Sequence, residues 1–408
     1  MSSPRDLRIA DHTYVLPPER IALRPLAERD ASRLLVYRDG SISDRVFREL
    51  PEVLPEGALL VVNDTRVVNA RLRFVKDTGA RIEVFCLEPA DGGPVEEAFR
   101  QRGSSRWWCT VGNVKRWKDG PLGQLFPHPD GDVQLFATLV ERRGLENLVE
   151  FSWEPAELSL AEVLHRAGVV PLPPYLHRDA EPSDEASYQT VYAREEGSVA
   201  APTAGLHFTP QVLEALDERG ISRTHLTLHV GAGTFRPVQA EVMADHEMHR
   251  ERIVVSRQAI ADLVDAVGTH PVVAVGTTSL RTLESLYWHG VALLEGRGGN
   301  DLSVEQWEPY DQGSAPPPAK DALGAVLQAM EQAHRELLTG STGLIIAPGY
   351  TIRVADALIT NFHQPASTLL LLVAAFIGGD WRRIYDHALA NDYRFLSYGD
   401  SSLLFRSS

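Results

Sequence analysis

Pro271-Val272-Val273-Ala274-Val275-Gly276-Thr277-Thr278-Ser279-Leu280-Arg281-Thr282-Leu283-Glu284 is the stretch that decides the fold class. A proline opens a short apolar run, Val272–Val275, of the length and composition of a buried strand. A glycine follows, and then three hydroxyl residues that suit the caps of a helix predicted to run through Leu286. A buried strand that passes through a glycine into a helix is the unit of an open α/β sheet. Such sheets bind ligands outside the carboxyl ends of their strands.

The same alternation extends in both directions. Upstream, Thr209-Pro210 makes an N-cap and first-turn pair for a helix over Gln211–Arg219, with Gly220 as its stop. Arg223–Val230 alternates like a strand, and Ser256 opens a helix to about Val267. Downstream, the pattern predicts a long helix from about Lys320 to Leu338 and strands at Gly343–Ala347 and Ala357–Thr360. A helix over Leu369–Ile377 is apolar all round and therefore expected to be buried. Glu295–Pro318 reads as a long loop. Near the start, Arg33–Tyr37 and Ala58–Asn63 are strand-like, and Asp39-Gly40 is a turn signal.

From about Val67 to Trp153 the text changes. Short runs such as Arg81–Phe85 and Val133–Leu139 are separated by Asp91-Gly92-Gly93-Pro94, Asp119-Gly120-Pro121 and Pro129-Asp130-Gly131-Asp132. Many short strands with turn signals read as a small antiparallel barrel or sandwich. The predicted fold is α/β with an inserted β-rich domain: a largely parallel-sheet core over residues 1–66 and 154–408, and the insert over residues 67–153.

Composition bounds the function classes. The chain has 408 residues, 44% of them hydrophobic and 23% charged, which excludes disorder as the main state. The longest apolar run, Leu369–Ile377, is far short of the roughly 20 residues that span a bilayer. The start, Met1-Ser2-Ser3-Pro4-Arg5-Asp6, has no apolar signal region. Cys86 and Cys109 form neither a C-x-x-C pair nor a zinc set, so a reduced, cytoplasmic chain is expected. The formal net charge is −15, which argues against indiscriminate binding of nucleic acid. The charge is uneven, however: 11 Lys/Arg face 7 Asp/Glu between Arg66 and Gly120. A basic segment on an acidic body suits a polyanion held at one place, although a chance fluctuation would look the same.

Four segments place polar or glycine-rich residues at predicted strand ends. Gly197–Thr209 holds Thr203, Gly205 and His207. His229-Val230-Gly231-Ala232-Gly233-Thr234-Phe235 ends a strand in Gly-x-Gly. Val275–Glu284 offers Thr277, Thr278, Ser279 and Arg281, with free N–H groups suited to a carboxylate or phosphate. Thr360–Thr368 holds Asn361, His363, Ser367 and Thr368. Each also admits a structural role: a histidine near a cap, a tight turn, a capped helix with an Arg281–Glu284 ion pair, a core helix with Ser367 and Thr368 as caps. Asp245-His246-Glu247-Met248-His249-Arg250-Glu251 approaches metal-ligand spacing but lacks the His-Glu-x-x-His pattern, so no metal is expected. Trp107, Trp108 and Trp117 alternate with Arg106, Lys115, Arg116 and Lys118. That suits either stacking of unpaired bases or a barrel core beside solvated charge.

The four segments together, with Tyr393-Arg394-Phe395-Leu396-Ser397-Tyr398-Gly399-Asp400 and Asn63-Asp64-Thr65-Arg66-Val67, resemble the S-adenosylmethionine:tRNA ribosyltransferase-isomerases of queuosine biosynthesis. Leu16-Pro17, Ile21-Ala22 and Arg29–Leu34 match as well, and the resemblance runs through nearly the whole chain in order. It implies an α/β domain carrying an inserted β-barrel. It implies transfer of the ribosyl group of S-adenosylmethionine to 7-aminomethyl-7-deazaguanine at the tRNA wobble position, with isomerisation to epoxyqueuosine and loss of adenine and methionine. The donor is consumed, and no metal or redox cofactor is implied. His207 and His363 are then the candidate proton-transfer groups, because imidazole titrates near neutrality, and His229 a candidate for orienting the ribose. Thr203, Gly205, Gly231, Gly233, Thr277, Thr278, Ser279, Arg281, Asn361, Ser367 and Thr368 are the candidate substrate contacts. Arg66, Lys115, Arg116 and Lys118 are the candidate tRNA contacts, on a chain expected to be monomeric and free of membrane. A non-catalytic tRNA-binding paralogue and a transferase for another modified base remain the alternatives. Ala366 stands where the family usually has a basic residue.

Overall fold

The computed structural model describes residues 4–93, 95–118, 120–129, 131–143, 146–231, 238, 240–311 and 316–406. In chain order its strands are β1 (Arg33–Arg38), β2 (Ser41–Val46), β3 (Leu59–Asn63), β4 (Thr65–Val67), β5 (Arg71–Val75), β6 (Arg81–Pro89), β7 (Ser104–Gly112), β8 (Leu122–Phe126), β9 (Val133–Arg143), β10 (Glu146–Glu154), β11 (Gly168–Val169), β12 (Glu195–Ser198), β13 (Ser222–His229), β14 (Glu251–Ser256), β15 (Val272–Val275), β16 (Leu302–Val304), β17 (Leu337–Thr342), β18 (Ala357–Asn361) and β19 (Ser401–Phe405). The helices are α1 (Leu50–Val53), α2 (Val95–Arg100), α3 (Leu160–Ala167), α4 (Asp184–Ser187), α5 (Pro210–Glu218), α6 (Arg257–Ala266), α7 (Thr277–Leu294), α8 (Ala319–Gln332), α9 (Thr368–Ile377) and α10 (Trp381–Ala390).

Ten strands form one mixed sheet in the order β16-β17-β14-β13-β3-β15-β18-β19-β1-β2. Its centre is parallel, β13 on β3, β3 on β15 and β15 on β18. The carboxyl ends of these four strands, His229, Asn63, Val275 and Asn361, therefore lie along one edge. Both faces are covered, so the central strands are continuous apolar runs. Leu59, Val61, Val272 and Ala274 enter the core beneath α6–α9, whereas Leu60, Val62, Val273 and Val275 enter the core beneath α1 and α5.

A second sheet, antiparallel and seven-stranded, runs β11-β5-β6-β7-β10-β9-β8 and curls until β8 touches β5. Its core holds Trp107, Trp117, Phe151 and Trp153. Helix α3 plugs it with Leu160, Val163 and Leu164, and begins at a reciprocal Ser159–Glu162 capping box. This sheet draws on residues as late as Val169, beyond the 67–153 segment, because β11 pairs with β5. The parallel β12–β4 ladder joins the region between the two sheets. Cys86 and Cys109 face each other across β6 and β7, both buried and free.

The structure corrects four local expectations. The helix after Pro318 ends at Gln332, not Leu338, where Ala333 caps it and His334 turns left-handed at φ 53°. The strand expected at Gly343–Ala347 lies earlier, at Leu337–Thr342, because its ladder partners β14 and β16 set its register. The Glu295–Pro318 stretch is not all loop: it contains β16 and a short 3-10 turn at Glu308–Tyr310. Thr277, Thr278 and Ser279 are not caps but the first turn of α7, whose N-cap is Gly276 at φ 92°.

Candidate active site

A cleft of about 100 Å³ opens at the carboxyl ends of the parallel strands. Its wall takes Ala200–Ala204 from before α5, Gly276–Thr278 from the start of α7 and Thr360–Gln364 with Ser367–Leu369 from before α9. All four sequence segments thus reach one place, the His229–Phe235 segment through Val230 alone among the described residues, joined by Tyr175, Leu396 and Ser397. A smaller cavity of about 40 Å³ shares Thr277, Thr278, Thr368 and Leu369 with the cleft and extends it toward Glu251 and Arg281.

Two helix N-termini converge on the cleft. Ser367 caps α9 by accepting from Leu370 N–H at 3.2 Å. Helix α7 has no side-chain cap, so its first N–H groups remain directed at the cleft. Thr278 is held by Asn63, whose amide also bonds Leu228 O at 3.0 Å. Ser279 does not reach the cleft: it is fully buried and donates to Val275 O at 2.8 Å.

His363 lines the cleft, with Nε2 2.8 Å from Thr360 Oγ1. Its backbone is clamped on both sides, N–H donating to Tyr385 Oη at 3.0 Å and carbonyl accepting from Tyr14. Burial lowers its pKa to about 4, so the ring is neutral at physiological pH. His207 lies one layer back. Its Nδ1 is 2.7 Å from Ser32 Oγ and its Nε2 3.2 Å from Asn361 Nδ2, while Asn361 Oδ1 accepts from Thr203 at 2.8 Å. The amide of Asn361 is thereby oriented from both ends. Burial, helped by Arg394 and Arg29, lowers the His207 pKa to about 3, which keeps Nε2 an acceptor. His207 is placed to orient Asn361, not to face the cleft.

Other expected residues lie elsewhere. Gly205 packs against Tyr192, and a Cβ there would fall 2.1 Å from the Tyr192 hydroxyl oxygen. Gly231 donates its N–H to Glu251 Oε1 at 3.3 Å, and Gly233 lies outside the described residues. Arg281 is not paired with Glu284. It bonds Glu251 at 2.5 Å and the carbonyls of His249 and Thr342, whereas Glu284 accepts from Tyr350, Arg353 N–H and Val354 N–H. His249 sits 3.2 Å from the same Glu251.

His229 faces a second groove, of about 510 Å³, together with Asp64, Arg194, His225, Thr227 and Arg252. Its Nδ1 is 3.0 Å from Thr65 Oγ1. On the other sheet, Lys115, Arg116 and Lys118 are exposed on the turn between β7 and β8 and carry no ion pair among the described residues. Trp107 and Trp117 beneath them are core, their indoles donating to Ser105 Oγ and Gly120 O, so neither offers a stacking face. Arg66 is exposed and 3.9 Å from Glu196.

A family model described as "Queuosine biosynthesis protein" matches residues 9–404. The chain belongs to this family. Curated relatives named S-adenosylmethionine:tRNA ribosyltransferase-isomerase include one from Aromatoleum aromaticum, 42% identical and covering 98% of this chain and 97% of the relative. Another, from Mesorhizobium japonicum, is 41% identical over 98% of this chain and 99% of its own. The crystal structure of an S-adenosylmethionine tRNA ribosyltransferase from Thermotoga maritima is 28% identical, covers 97% of this chain and 100% of that one, and superposes with a TM-score of 0.47. In this member of the queuosine biosynthesis family, sequence patterns did not expose Asn63, Glu251, Tyr175 or Ser32 as site residues. Each acts through a partner far away in the chain. Asn63 ended a strand-like run, Ser32 lay in the matched Arg29–Leu34 segment and Glu251 closed the Asp245–Glu251 run, but no pattern marked any of them as a site residue.

Proposed function

We propose that this protein transfers the ribosyl group of S-adenosylmethionine to 7-aminomethyl-7-deazaguanine at the wobble position of tRNA and isomerises it, giving epoxyqueuosine-tRNA, adenine and methionine. The observation that carries this reading is the convergence of Thr203, Thr277, Asn361 and His363, from three matched segments, on one cleft at the strand ends. Relatives named S-adenosylmethionine:tRNA ribosyltransferase-isomerase match over nearly the full length of both chains.

In this reading the methionine carboxylate sits on the uncapped start of α7, at the N–H groups of Thr277 and Thr278. Thr203 and Asn361 meet the ribose, with the Asn361 amide held in register by His207. The sulfonium acidifies the neighbouring C5′ hydrogens, and the neutral imidazole of His363 accepts one of them as a proton. Adenine leaves C1′ with the glycosidic electron pair and takes up a proton, while the substrate amine bonds C1′ and gives up a proton. The electron pair at C5′ then closes on C1′ as the C1′–O4′ bond breaks, and O4′ displaces methionine from C5′ to form the epoxide. The donor is consumed and no resident cofactor takes part. Arg66, Lys115, Arg116 and Lys118 contact tRNA phosphates, and the protein acts as a cytoplasmic monomer.

The test is product analysis. With S-adenosylmethionine and tRNA bearing the aminomethyl base, free adenine and methionine should appear in proportion to modified tRNA. Formation of S-adenosylhomocysteine would overturn the reading.

A further inference from the structure

We propose that the groove on the open face of β13 and β14 receives the guanine edge of the tRNA base, with the Asp64 carboxylate accepting its N1–H and N2–H groups. This inference rests on the proposed tRNA substrate and assigns that base a place separate from the donor cleft.

The starting point is an imbalance among buried carboxylates. Asp184 accepts from both guanidinium nitrogens of Arg178, from Glu181 N–H and from Tyr398. Asp400 accepts from Arg33 N–H, Arg394 N–H and the Arg394 side chain. Glu251 and Glu284 are served as fully. Asp64 is 6% exposed, yet only one side chain, the Thr227 hydroxyl at 2.7 Å, donates to it. Burial raises the Asp64 pKa, and Thr227, Arg194, its own N–H and His229 offset this only in part, so further N–H donors arriving from the groove would favour its charged form.

The groove matches such a ligand. Its volume of about 510 Å³ lies within the roughly 300–1,000 Å³ of small-molecule sites. Asp64 is held rigidly from behind, its carbonyl accepting Arg194 N–H at 2.7 Å and Glu195 N–H at 3.2 Å. Guanine presents two adjacent N–H donors on its Watson–Crick edge, and a carboxylate presents two adjacent acceptors. Enzymes that act on a nucleobase read this edge and stack the ring on a flat side chain. His225 supplies that face: it is half-buried in the groove, and burial with Arg194 and Arg223 holds it neutral. The exposed guanidinium of Arg194 lines the same groove, carries no ion pair among the described residues, and attracts the Asp64 carboxylate from across it.

The groove also lies next to the donor cleft. His229 lines the groove, and Val230, the next residue, lines the cleft. Asp64 faces the groove, and its neighbour Asn63 touches Thr278 of the cleft. A base on Asp64 therefore sits beside the end of β13, around which its aminomethyl arm would reach the sugar.

Binding of anticodon stem–loops to the full chain tests this. Three loops carry guanine, hypoxanthine or 7-aminomethyl-7-deazaguanine at the wobble position, hypoxanthine lacking the 2-amino group. The wild type should bind the guanine loop about tenfold or more tightly than the hypoxanthine loop, as expected for a lost bidentate contact. Asp64→Asn should abolish that preference while leaving S-adenosylmethionine affinity unchanged, which also reports on its fold. His225→Ala, at a half-buried position, should weaken the guanine and hypoxanthine loops alike by about fivefold or more. The inference is overturned if Asp64→Asn keeps the guanine preference, if it removes only the affinity that the aminomethyl group adds, or if His225→Ala binds normally. Adenine release by the wild type, measured on the same preparation, is the separate check on the enzyme reading. No release defeats that reading, whereas normal release with unaltered variants defeats only the base site.

Discussion

Arg281 and Glu251 face each other where there is almost no water, at 8% and 4% exposure. Burial alone would raise the Glu251 pKa, but Arg281 and His249 reverse this and hold it at about 2. Burial makes such a pair fragile to one-sided change. Arg281→Met leaves buried Glu251 with only His249 and the Gly231 N–H as partners among the described residues, and should lower the unfolding free energy by about 3 kcal/mol in urea titration. Adding Glu251→Leu should recover more than half of that loss. His363 tests a different role. Under the proposed chemistry, His363→Asn should slow single turnover by about 10²–10⁴-fold with little change in S-adenosylmethionine affinity. A loss of affinity and melting temperature together, with normal turnover in the folded fraction, would make it structural. The sequence set His363 at a strand-to-helix junction, and it lines the cleft, but the sequence gave no way to separate it from His207. Both histidines sit just before a predicted helix. What distinguishes them is Ser32, which holds the His207 ring from 175 positions away.

At the scale of elements, punctuation marked what the sequence revealed. Thr209-Pro210, Ser256 and Ser367 all start helices where their side chains predict, and Asp39-Gly40 turns β1 into β2 with both residues at positive φ. One boundary was missed where no Gly or Pro marks the end. Helix α8 and strand β17 run together in the text, and only long-range pairing with β14 and β16 separates them. Tight contacts between elements were equally hidden. Helices α7 and α8 approach so closely at Gly290 that a Cβ would fall 2.1 Å from the Ala322 carbonyl oxygen. Gly290→Ala raises helix propensity, yet it should destabilise the protein by about 1–3 kcal/mol because the helices must separate. Equilibrium denaturation checks the sign; a more stable variant would mean that the contact is looser.

For the molecule as a whole, the uneven charge seen in the sequence becomes a surface. Several cations of the basic segment are tied up, Arg71 by Glu83 and Arg106 by Glu150, which leaves Lys115, Arg116 and Lys118 on one turn. Replacing those three with Ala should weaken tRNA binding and reduce its salt slope by up to about 0.9 for each lost phosphate contact. An unchanged slope would mean that they only solvate the surface. Stability should depend on pH through the buried histidines. Burial depresses His207 to about 3, and His363 and His289 to about 4, against roughly 6.5 in an unfolded chain. Protons therefore bind the unfolded state first, so stability is fully present above about pH 6.5 and declines as pH falls toward 4. Urea unfolding near pH 5 should show an uptake of as many as three protons; a flat profile from 6.5 to 4.5 would contradict these shifts. The α/β alternation and the β-rich insertion were legible because both write themselves as local period and turn signals. Strand order was not legible, because β19 enters between β18 and β1. That placement bears on biosynthesis. The β1–β2 hairpin is made early, but its neighbour in the sheet is β19, from Ser401 to Phe405. At roughly 5–20 residues per second, the hairpin waits on the order of 20–70 s with an edge unpaired on the ribosome, an interval in which nascent-chain chaperones would have to shield it.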